Sequence, residues 1–227
     1  GTTTTVKITI KGSNDAAVLG TASVVLTETN EVLSADGSLG ISDVDSPATF
    51  VARKNVAGEL GTFSIDAAGA WTFVTKSPLD RISEGKSVTD SYTVSSADGT
   101  KTTVLITVNG TNDPAVLGAA DVALKETNAA LKTTGRLSIK DVDSPQTFVA
   151  QSDVAGANGS FSIDTSGRWS YVAKNSFDEL NDGQNASDSF TVASSDGTAT
   201  IVKVTINGTN DAAVLSAAKV VLTETNE

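Results

Sequence analysis

Three nearly identical nine-residue segments, each with an adjacent Asn and Asp, recur at intervals of 98 residues. They are GSNDAAVLG from Gly12, GTNDPAVLG from Gly110 and GTNDAAVLS from Gly208. Side-chain oxygens of Asn and Asp are hard ligands that suit cations such as Ca²⁺. The same side chains also favour turns, where they bond to the backbone two residues further on. The pair therefore indicates either cation binding or turn formation, and its surroundings must decide.

The 98-residue interval belongs to a repeat that accounts for the whole chain of 227 residues. Residues 12–109 align with 110–207 without a gap, and 52 of the 98 positions are identical. About 100 residues is the size of one small domain, so the repeats predict beads on a string. The predicted organisation is 1–11 as the last strand of a preceding repeat, 12–110 and 111–208 as complete repeats, and 209–227 as the first strand of a following repeat. On this interpretation the chain is a segment of a longer array.

Each repeat is predicted to be all-β. In TTVLITVNG the apolar residues alternate with polar ones, and the runs DSYTVSS, AWTFV and GTFSID show the same period of two. Turn signals separate these runs, and no helical period persists. The pattern predicts a Greek-key β-sandwich of immunoglobulin-like or cadherin-like type, with strands A to G near 16–27, 37–42, 48–53, 61–65, 70–75, 90–96 and 101–109. We expect Trp71 and Trp169 to point into the cores.

This strand order places the acidic residues at the two ends of each sandwich. The B–C, D–E and F–G turns share the end where a repeat begins, and the A–B and E–F connections share the opposite end, next to the following Asn-Asp pair. The candidate ligands are Asn14, Asp15, Asp43, Asp45 and Asp98 at the start of the first repeat; Glu28, Asp80, Asn112, Asp113, Asp141, Asp143 and Asp196 at the middle junction; and Glu126, Asp178, Asn210 and Asp211 at the end of the second repeat.

Crowded carboxylates repel one another unless a cation lies among them. With no His and no Cys in the chain, oxygen ligands predict Ca²⁺ rather than Zn²⁺, whereas Mg²⁺ would need a stricter octahedron. Eight of the 12 acids in residues 12–109 are identical in the second repeat, but only one of the six basic residues is. This bias favours ion binding. Turn chemistry remains the alternative, above all for Asp66 and Asp98.

The composition argues against several classes of function. A net charge of −11 leaves no basic surface for nucleic acid. No apolar stretch approaches the roughly 20 residues of a membrane-spanning helix, so direct membrane insertion is not expected. The absence of His and Cys removes the usual general base and thiolate chemistry, and no GxSxG motif occurs, so we do not expect an enzyme.

The run from GTFSIDAAGAWTFV through DSYTVSSADGT to VLITVNGTNDPAV resembles the VCBS-type repeat of large bacterial surface proteins, many of which are RTX adhesins with Ig-like extender arrays. A looser similarity is to cadherin repeats: Leu79-Asp80-Arg81, Ala97-Asp98-Gly99, Asn112-Asp113-Pro114 and Asp141-Val142-Asp143 occupy the places of cadherin motifs. That resemblance implies interdomain Ca²⁺ bound by Asp80, Asn112, Asp113, Asp141 and Asp143. The chain departs from the cadherin pattern at Ile82, Gly110 and the FDEL sequence of 177–180, which implies fewer ions per junction.

The resemblance implies an extracellular role at a bacterial cell surface. We expect a calcium-stiffened extender that holds a distal binding domain of an adhesin away from the cell, for adhesion or biofilm formation. Its partners would be adjacent repeats joined through Ca²⁺-bridged linkers, with any surface or glycan ligand bound by other parts of the parent protein. The alternatives are a domain that itself binds a carbohydrate or surface, and homophilic adhesion through sheet edges.

Overall fold

A computed structural model describes residues 1–213 and 215–224 of the chain, and this part is all β. Two compact units are present: one comprises residues 1–113 and 142–144, and the other comprises 114–141 and 145–227. Within the described residues, no helix has the length and apolar character required to cross a membrane.

The first unit contains nine strands that form two main sheets and one short ladder. In chain order they are β1 (Val18–Leu19), β2 (Ala22–Thr27), β3 (Ser34–Ser38), β4 (Ile41–Ser42), β5 (Arg53–Ala57), β6 (Gly61–Ile65), β7 (Ala70–Thr75), β8 (Ser87–Ser95) and β9 (Lys101–Asn109). One sheet has the order β2-β9-β8 and the other β3-β7-β6-β5, while β1 pairs with β4. The predicted sandwich is thus confirmed.

The second unit repeats this arrangement strand for strand. Its strands are β10 (Val116–Leu117), β11 (Ala120–Lys125), β12 (Lys132–Arg136), β13 (Ile139–Lys140), β14 (Gln151–Ala155), β15 (Gly159–Ile163), β16 (Arg168–Ala173), β17 (Asn185–Ala193) and β18 (Ala199–Asn207). The sheets have the orders β11-β18-β17 and β12-β16-β15-β14, and β10 pairs with β13.

The parallel pairing of the first long strand with the last one brings the two ends of each repeat together. β2 runs parallel to β9, and Thr27 lies opposite Asn109 at the end of the ladder. β11 and β18 pair in the same way, with Lys125 opposite Asn207. As a result, the residue that follows β2 lies beside the segment that leads to the next Asn-Asp pair.

The core of each sandwich is built from the inward-facing residues of the alternating strands. Trp71 and Trp169 are only 3% and 4% exposed, so the predicted core role of both tryptophans is confirmed. In the first unit the ring of Phe63 stacks on that of Tyr92 with 4.7 Å between centroids. In the second unit Phe161 and Phe190 stack at the same 4.7 Å. Such pairs add to the stabilisation that comes from the buried area alone.

Two strand predictions were wrong in position. Strand B, predicted at 37–42, is divided into β3 and β4, and strand C, predicted at 48–53, lies at β5 and contributes only an isolated bridge at Phe50. The register of β5 against β6 shifts between Arg53 and Val56, and Asn55 has a φ of +51°. This bulge breaks the alternation of inward and outward residues, so the period of two no longer marks the strand.

The turn between β5 and β6 is held by a buried carboxylate on one side and an ammonium group on the other. Asp90 accepts hydrogen bonds from the Leu60 amide (3.0 Å) and the Tyr92 hydroxyl (2.7 Å). Lys76 Nζ donates to the carbonyl oxygens of Gly58 and Glu59. Lys76 is the one basic residue that both repeats share, and its counterpart Lys174 likewise donates to the Ala157 carbonyl at 2.7 Å.

The hydroxyl that reaches this buried carboxylate comes from a different strand in each repeat. In the first unit Tyr92 on β8 supplies it and Phe73 stands on β7, whereas in the second unit Tyr171 on β16 donates to Asp188 at 3.0 Å and Phe190 stands on β17. Both repeats therefore keep one tyrosine and one phenylalanine while exchanging their places.

The segments predicted as orphan strands contain no hydrogen-bonded strand among the described residues. This applies to 1–11 and to the described part of 209–227, which is 209–213 and 215–224. The alternating apolar residues of the first segment are exposed, at 78% for Val6, 81% for Ile8 and 90% for Ile10. Their counterparts on β9, such as Ile106, are fully buried.

Candidate metal centres

Three carboxylates converge at the end of the first unit. Glu28 directly follows β2, Asp80 lies in the loop between β7 and β8, and Asp113 lies four residues beyond β9. One oxygen of each lies within 4.8 Å of one oxygen of each of the others. We call this set the Glu28 cluster. The parallel ladder positions it, because the Glu28 amide donates to the Asn109 carbonyl at 2.7 Å and so extends the pairing by one residue.

Hydrogen bonds orient the Glu28 cluster but leave several of its oxygens unused. Glu28, only 2% exposed, accepts through Oε2 from the amide and the hydroxyl of Thr111, at 3.2 and 2.7 Å. Asp113, 7% exposed, accepts through Oδ1 from the side chain of Asn30 at 2.8 Å. Within the described part of the chain, Glu28 Oε1, Asp80 Oδ1 and Asp113 Oδ2 are buried and have no hydrogen-bond donor.

Buried anionic oxygens without donors are costly, and a cation removes that cost. Three carboxylates offer between three and six oxygens, and Ca²⁺ takes six to eight at flexible angles. The all-oxygen donor set does not suit Zn²⁺, which prefers nitrogen and sulfur. The residues of the Glu28 cluster therefore fit a hard divalent cation, with further oxygens needed to complete its coordination.

The second unit contains an equivalent set, the Glu126 cluster, formed by Glu126, Asp178 and Asp211 within the same 4.8 Å limit. Glu126 is 3% exposed and accepts the amide of Thr209 at 2.9 Å as well as its hydroxyl at 2.5 Å. Of the oxygens that the structure describes here, Glu126 Oε2 is buried without a donor. The same three positions therefore converge in both repeats, but Asp178 and Asp211 are exposed whereas Asp80 is half-buried and Asp113 is buried.

The predicted ligands at the start of the first unit also lie together, but hydrogen bonds link them to one another. The Asp15 amide donates to Asp45 Oδ2 at 3.1 Å, and the Asp45 amide donates to Asp43 Oδ1 at 3.1 Å. Asn14 Nδ2 lies 3.4 Å from Asp98 Oδ2. Asp43 Oδ2 is buried and has no donor in the described residues.

The carboxylates of Asp98 and Asp196 are occupied mainly by hydrogen-bond donors of their own turns. Asp98 accepts from the Ser96 hydroxyl, from the amide and hydroxyl of Thr100, and from the Ala17 amide at 3.0 Å. These bonds, led by the one from Ser96, hold the pKa of Asp98 well below its usual 3.8.

Asp196 repeats this pattern: it accepts from Ser194, from Thr198 and from the Ala115 amide at 2.9 Å. Burial acts to raise the pKa of Asp196, but the hydrogen bonds outweigh it and the pKa is lowered. The turn chemistry considered from the sequence is therefore present at both acids.

The Asn112-Asp113 pair makes the same contacts with the DVDS turn at 141–144 as the first Asn-Asp pair makes with the DVDS turn at 43–46. The Asp113 amide lies 3.4 Å from Asp143 Oδ1, and Ser144 Oγ lies 3.3 Å from Asn112 Oδ1. Ser46 and Asn14 match the latter contact at 2.9 Å. Two further predicted ligands lie outside these contacts. Asp141 is buried, with 7% of its surface exposed. Asn210 is exposed, and its Nδ2 lies 3.4 Å from the Asp211 carbonyl oxygen.

Two features of these sites were not predicted from the sequence. Thr111 and Thr209 bind the central glutamates, and the signal was a hydroxyl residue before Asn in all three Asn-Asp segments. Gly110 is required for packing, because a Cβ there would lie 1.8 Å from the Ile82 carbonyl oxygen. A Cβ on Gly208 would meet the Leu180 carbonyl at 2.3 Å. The glycine thus lets the loop that carries the cluster aspartate close over the strand exit.

Comparison with known proteins gives a family and several distant structural relatives. Solved structures that resemble the chain include protocadherin gammaB7 EC3-6 in a cis-dimer structure (11% identity, TM-score 0.49, 86% of this chain and 48% of that one) and Drosophila N-cadherin EC1-4 (14%, 0.44, 87% and 50%). Human desmocollin-1 ectodomain is also similar (14%, 0.38, 84% and 41%). The chain spans about half or less of the length of these relatives. No curated protein matches it.

The family description that matches is "bacterial cadherin-like domain", and it matches twice, over residues 14–110 and 112–209. The two matches follow the two repeats and together cover most of the chain. The chain therefore belongs to the bacterial cadherin-like domain family, with two tandem domains.

Proposed function

We propose that this chain is a calcium-stiffened extender segment of a bacterial cell-surface adhesin, of the kind that VCBS-type repeats form in RTX adhesins. Its tandem domains would act as a spacer that holds a distal binding domain away from the cell during adhesion or biofilm formation. The segment would be secreted and would have no catalytic role.

The observation that carries this proposal is that several buried carboxylate oxygens of the Glu28 cluster have no donor among the residues that the structure describes. A solubilising or turn-forming acid would face water or accept backbone amides. Glu28 accepts the amide and the hydroxyl of Thr111 through one oxygen, but its other oxygen is buried beside two further carboxylates and has no donor among the described residues. The repetition of this arrangement at Glu126 supports a shared function for the two sites.

The ion would act on the linker because the linker supplies one of its ligands. Asp113 contributes its carboxylate to the Glu28 cluster, and its backbone amide approaches Asp143 of the DVDS turn. We propose that Asn112, Asp141 and Asp143 add oxygens to the same ion or to a neighbouring one, so that adjacent repeats are bridged through calcium. Asn14, Asp15, Asp43 and Asp45 would do the same for a preceding repeat.

Calcium would therefore control the stiffness of the array. Without the ion, the carboxylates repel one another and the linker is free to bend. At an ion concentration tenfold above Kd, one site adds roughly 1.4 kcal/mol to the stability of the folded state. Extracellular calcium would stiffen the segment after export, and low cytoplasmic calcium would keep it loose beforehand.

Small-angle X-ray scattering of the chain, titrated from EDTA into millimolar CaCl₂ with MgCl₂ as the control, tests this proposal. We expect the maximum dimension to rise to a fixed value with Ca²⁺ and to change less with Mg²⁺. A maximum dimension that does not respond to Ca²⁺ would contradict the extender role. It would favour the alternative that the domains themselves bind a carbohydrate, a surface or one another.

A further inference from the structure

The loop that carries the cluster aspartate differs strongly in charge between the two repeats. In the first repeat the turn 79–82 closes with the Ile82 amide donating to the Leu79 carbonyl at 3.0 Å. In the second repeat the turn 177–180 closes in the same way at 2.9 Å, although it starts from Phe177 with a φ of +66°. Each turn has the cluster aspartate as its second residue.

The third residue of this turn is Arg81 in the first repeat and Glu179 in the second. Both are exposed, and each directly follows a carboxylate of its cluster, so their Cα atoms are about 3.8 Å from that of the ligand residue. The exchange changes the local charge by two units while the closing hydrogen bond of the turn is retained.

A second charge difference lies where the same loop meets the linker. The Lys86 carbonyl accepts the Gly110 amide at 2.9 Å, and the Gln184 carbonyl accepts the Gly208 amide at the same distance. These positions are therefore beside the strand exit that leads to the linker aspartate. The first loop has Arg81 and Lys86 where the second has Glu179 and Gln184. The second loop is therefore three charge units more negative than the first, because Glu84 and Asp182 carry the same charge.

We infer that these loop residues tune the cation affinity of the two sites in opposite directions: Arg81 and Lys86 weaken binding at the Glu28 cluster, and Glu179 strengthens it at the Glu126 cluster. This inference rests on the proposed function. A positive charge beside the site repels an incoming divalent cation, and an added negative charge attracts it. Neither group needs to ligate the ion, so each is an affinity-determining residue outside the ligand set.

The magnitude follows from the exposure of these residues. Charges in water at distances comparable to the Debye length, about 8 Å at physiological ionic strength, are partly screened. For a change of two charge units next to a divalent cation, we expect an affinity change of about threefold at physiological salt and a larger one at low salt. A substitution that acted only by disturbing the geometry of the ligands would change the affinity by the same factor at low and at physiological salt.

The test uses the whole chain and follows each site separately by ¹H–¹⁵N NMR. The amides of Thr111 and Thr209 donate to Glu28 and Glu126, so their chemical shifts report on the two clusters individually. Ca²⁺ is titrated into the wild type, into Arg81→Glu and into Glu179→Arg. The matched control is Lys101→Glu, which makes the same type of charge change at the start of β9, about 26 Å from the end where the cluster lies.

We expect Arg81→Glu to lower the Ca²⁺ concentration for the half-maximal Thr111 shift by about threefold, and Glu179→Arg to raise that for Thr209 by a similar factor. Lys101→Glu should move neither midpoint by as much. An unchanged midpoint in one loop variant would overturn the inference for that cluster, and an equal effect of the control would overturn it for both; either result would leave the proposed function intact. No Thr111 or Thr209 response to millimolar Ca²⁺ in the wild type would overturn both. Because the two variants are in different domains, either one alone gives a decisive result.

Discussion

Replacing Asp80 by asparagine should stabilise the first domain without calcium and destabilise it, relative to the wild type, with calcium. Asp80 has an oxygen within 4.8 Å of oxygens of both Glu28 and Asp113. Each pair of unit charges at this distance repels by about 0.9 kcal/mol in water and by about 3.5 kcal/mol at an effective dielectric constant of 20. Asp80 is half-buried, and we take the lower end of this range for its two pairs, which gives about 2 kcal/mol.

The assay is thermal unfolding followed by tryptophan fluorescence in a chain with Trp169→Phe, so that Trp71 reports on the first domain alone. In EDTA a gain of about 2 kcal/mol should raise the melting temperature by roughly 10 °C, since a domain of this size shifts by about 4–8 °C per kcal/mol. In saturating Ca²⁺ the order should reverse, because the introduced amide would supply a neutral oxygen to the ion in place of a carboxylate.

The matched control is Glu84→Gln, which removes one negative charge from the same loop at an exposed residue outside the cluster. It should change the melting temperature little under either condition. A lower melting temperature for Asp80→Asn in EDTA would contradict this prediction, because it would mean that the Asp80 carboxylate is stabilised without an ion. Equal gains for both variants would attribute the effect to net charge rather than to the cluster.

Three further predictions concern buried hydrogen bonds and packing in the first domain. Tyr92→Phe should lower the free energy of unfolding, measured with urea, by about 1.5–3 kcal/mol, because it removes the hydroxyl hydrogen bond to ionised Asp90. Adding Phe73→Tyr should recover at least half of that loss, and no recovery would contradict the exchange of places seen between the repeats. Burial acts to raise the pKa of Asp90, but its hydrogen bonds outweigh the burial and the pKa is lowered. The contribution of Asp90 to stability is therefore present above its usual pKa of 3.8 and is lost as the pH falls through the lower folded-state pKa. Tyr92→Phe should move the onset of acid unfolding to higher pH, and an unchanged onset would count against this assignment. Gly110→Ala should destabilise the first domain by more than about 1 kcal/mol, because a Cβ would meet the Ile82 carbonyl; a neutral result in calorimetry would show that the loop yields easily.

The sequence predicted the sandwich and the ends at which its acids would lie, because both follow from strand order. Strands with regular alternation, such as β6, β7 and β9, were located to the residue. β5 was misplaced because its bulge at Asn55 hides the alternation on which the prediction depended. A bulge places an extra residue in one strand and shifts its register, and the sequence pattern alone does not reveal it.

The separation of the acids into two groups could not be obtained from the sequence. Asp98 and Glu28 were both candidate ligands, since both are kept in the second repeat and both lie at strand ends, although turn chemistry was the stronger alternative for Asp98. In three dimensions Asp98 is occupied by donors of its own turn, whereas Glu28 keeps a buried oxygen free of donors in the described chain. That difference depends on which donors lie within reach, which only the packed loops determine.

The most direct test of the central claim is isothermal titration calorimetry of Ca²⁺ into the whole chain, with Mg²⁺ as the control, against a variant with Glu28→Gln and Glu126→Gln. We expect saturable Ca²⁺ binding with at least two sites in the wild type and a loss of affinity in the double variant, whose fold is checked by its melting temperature in EDTA. Absence of binding at millimolar Ca²⁺, or the same binding in a folded double variant, would contradict the assignment of the two clusters as calcium sites.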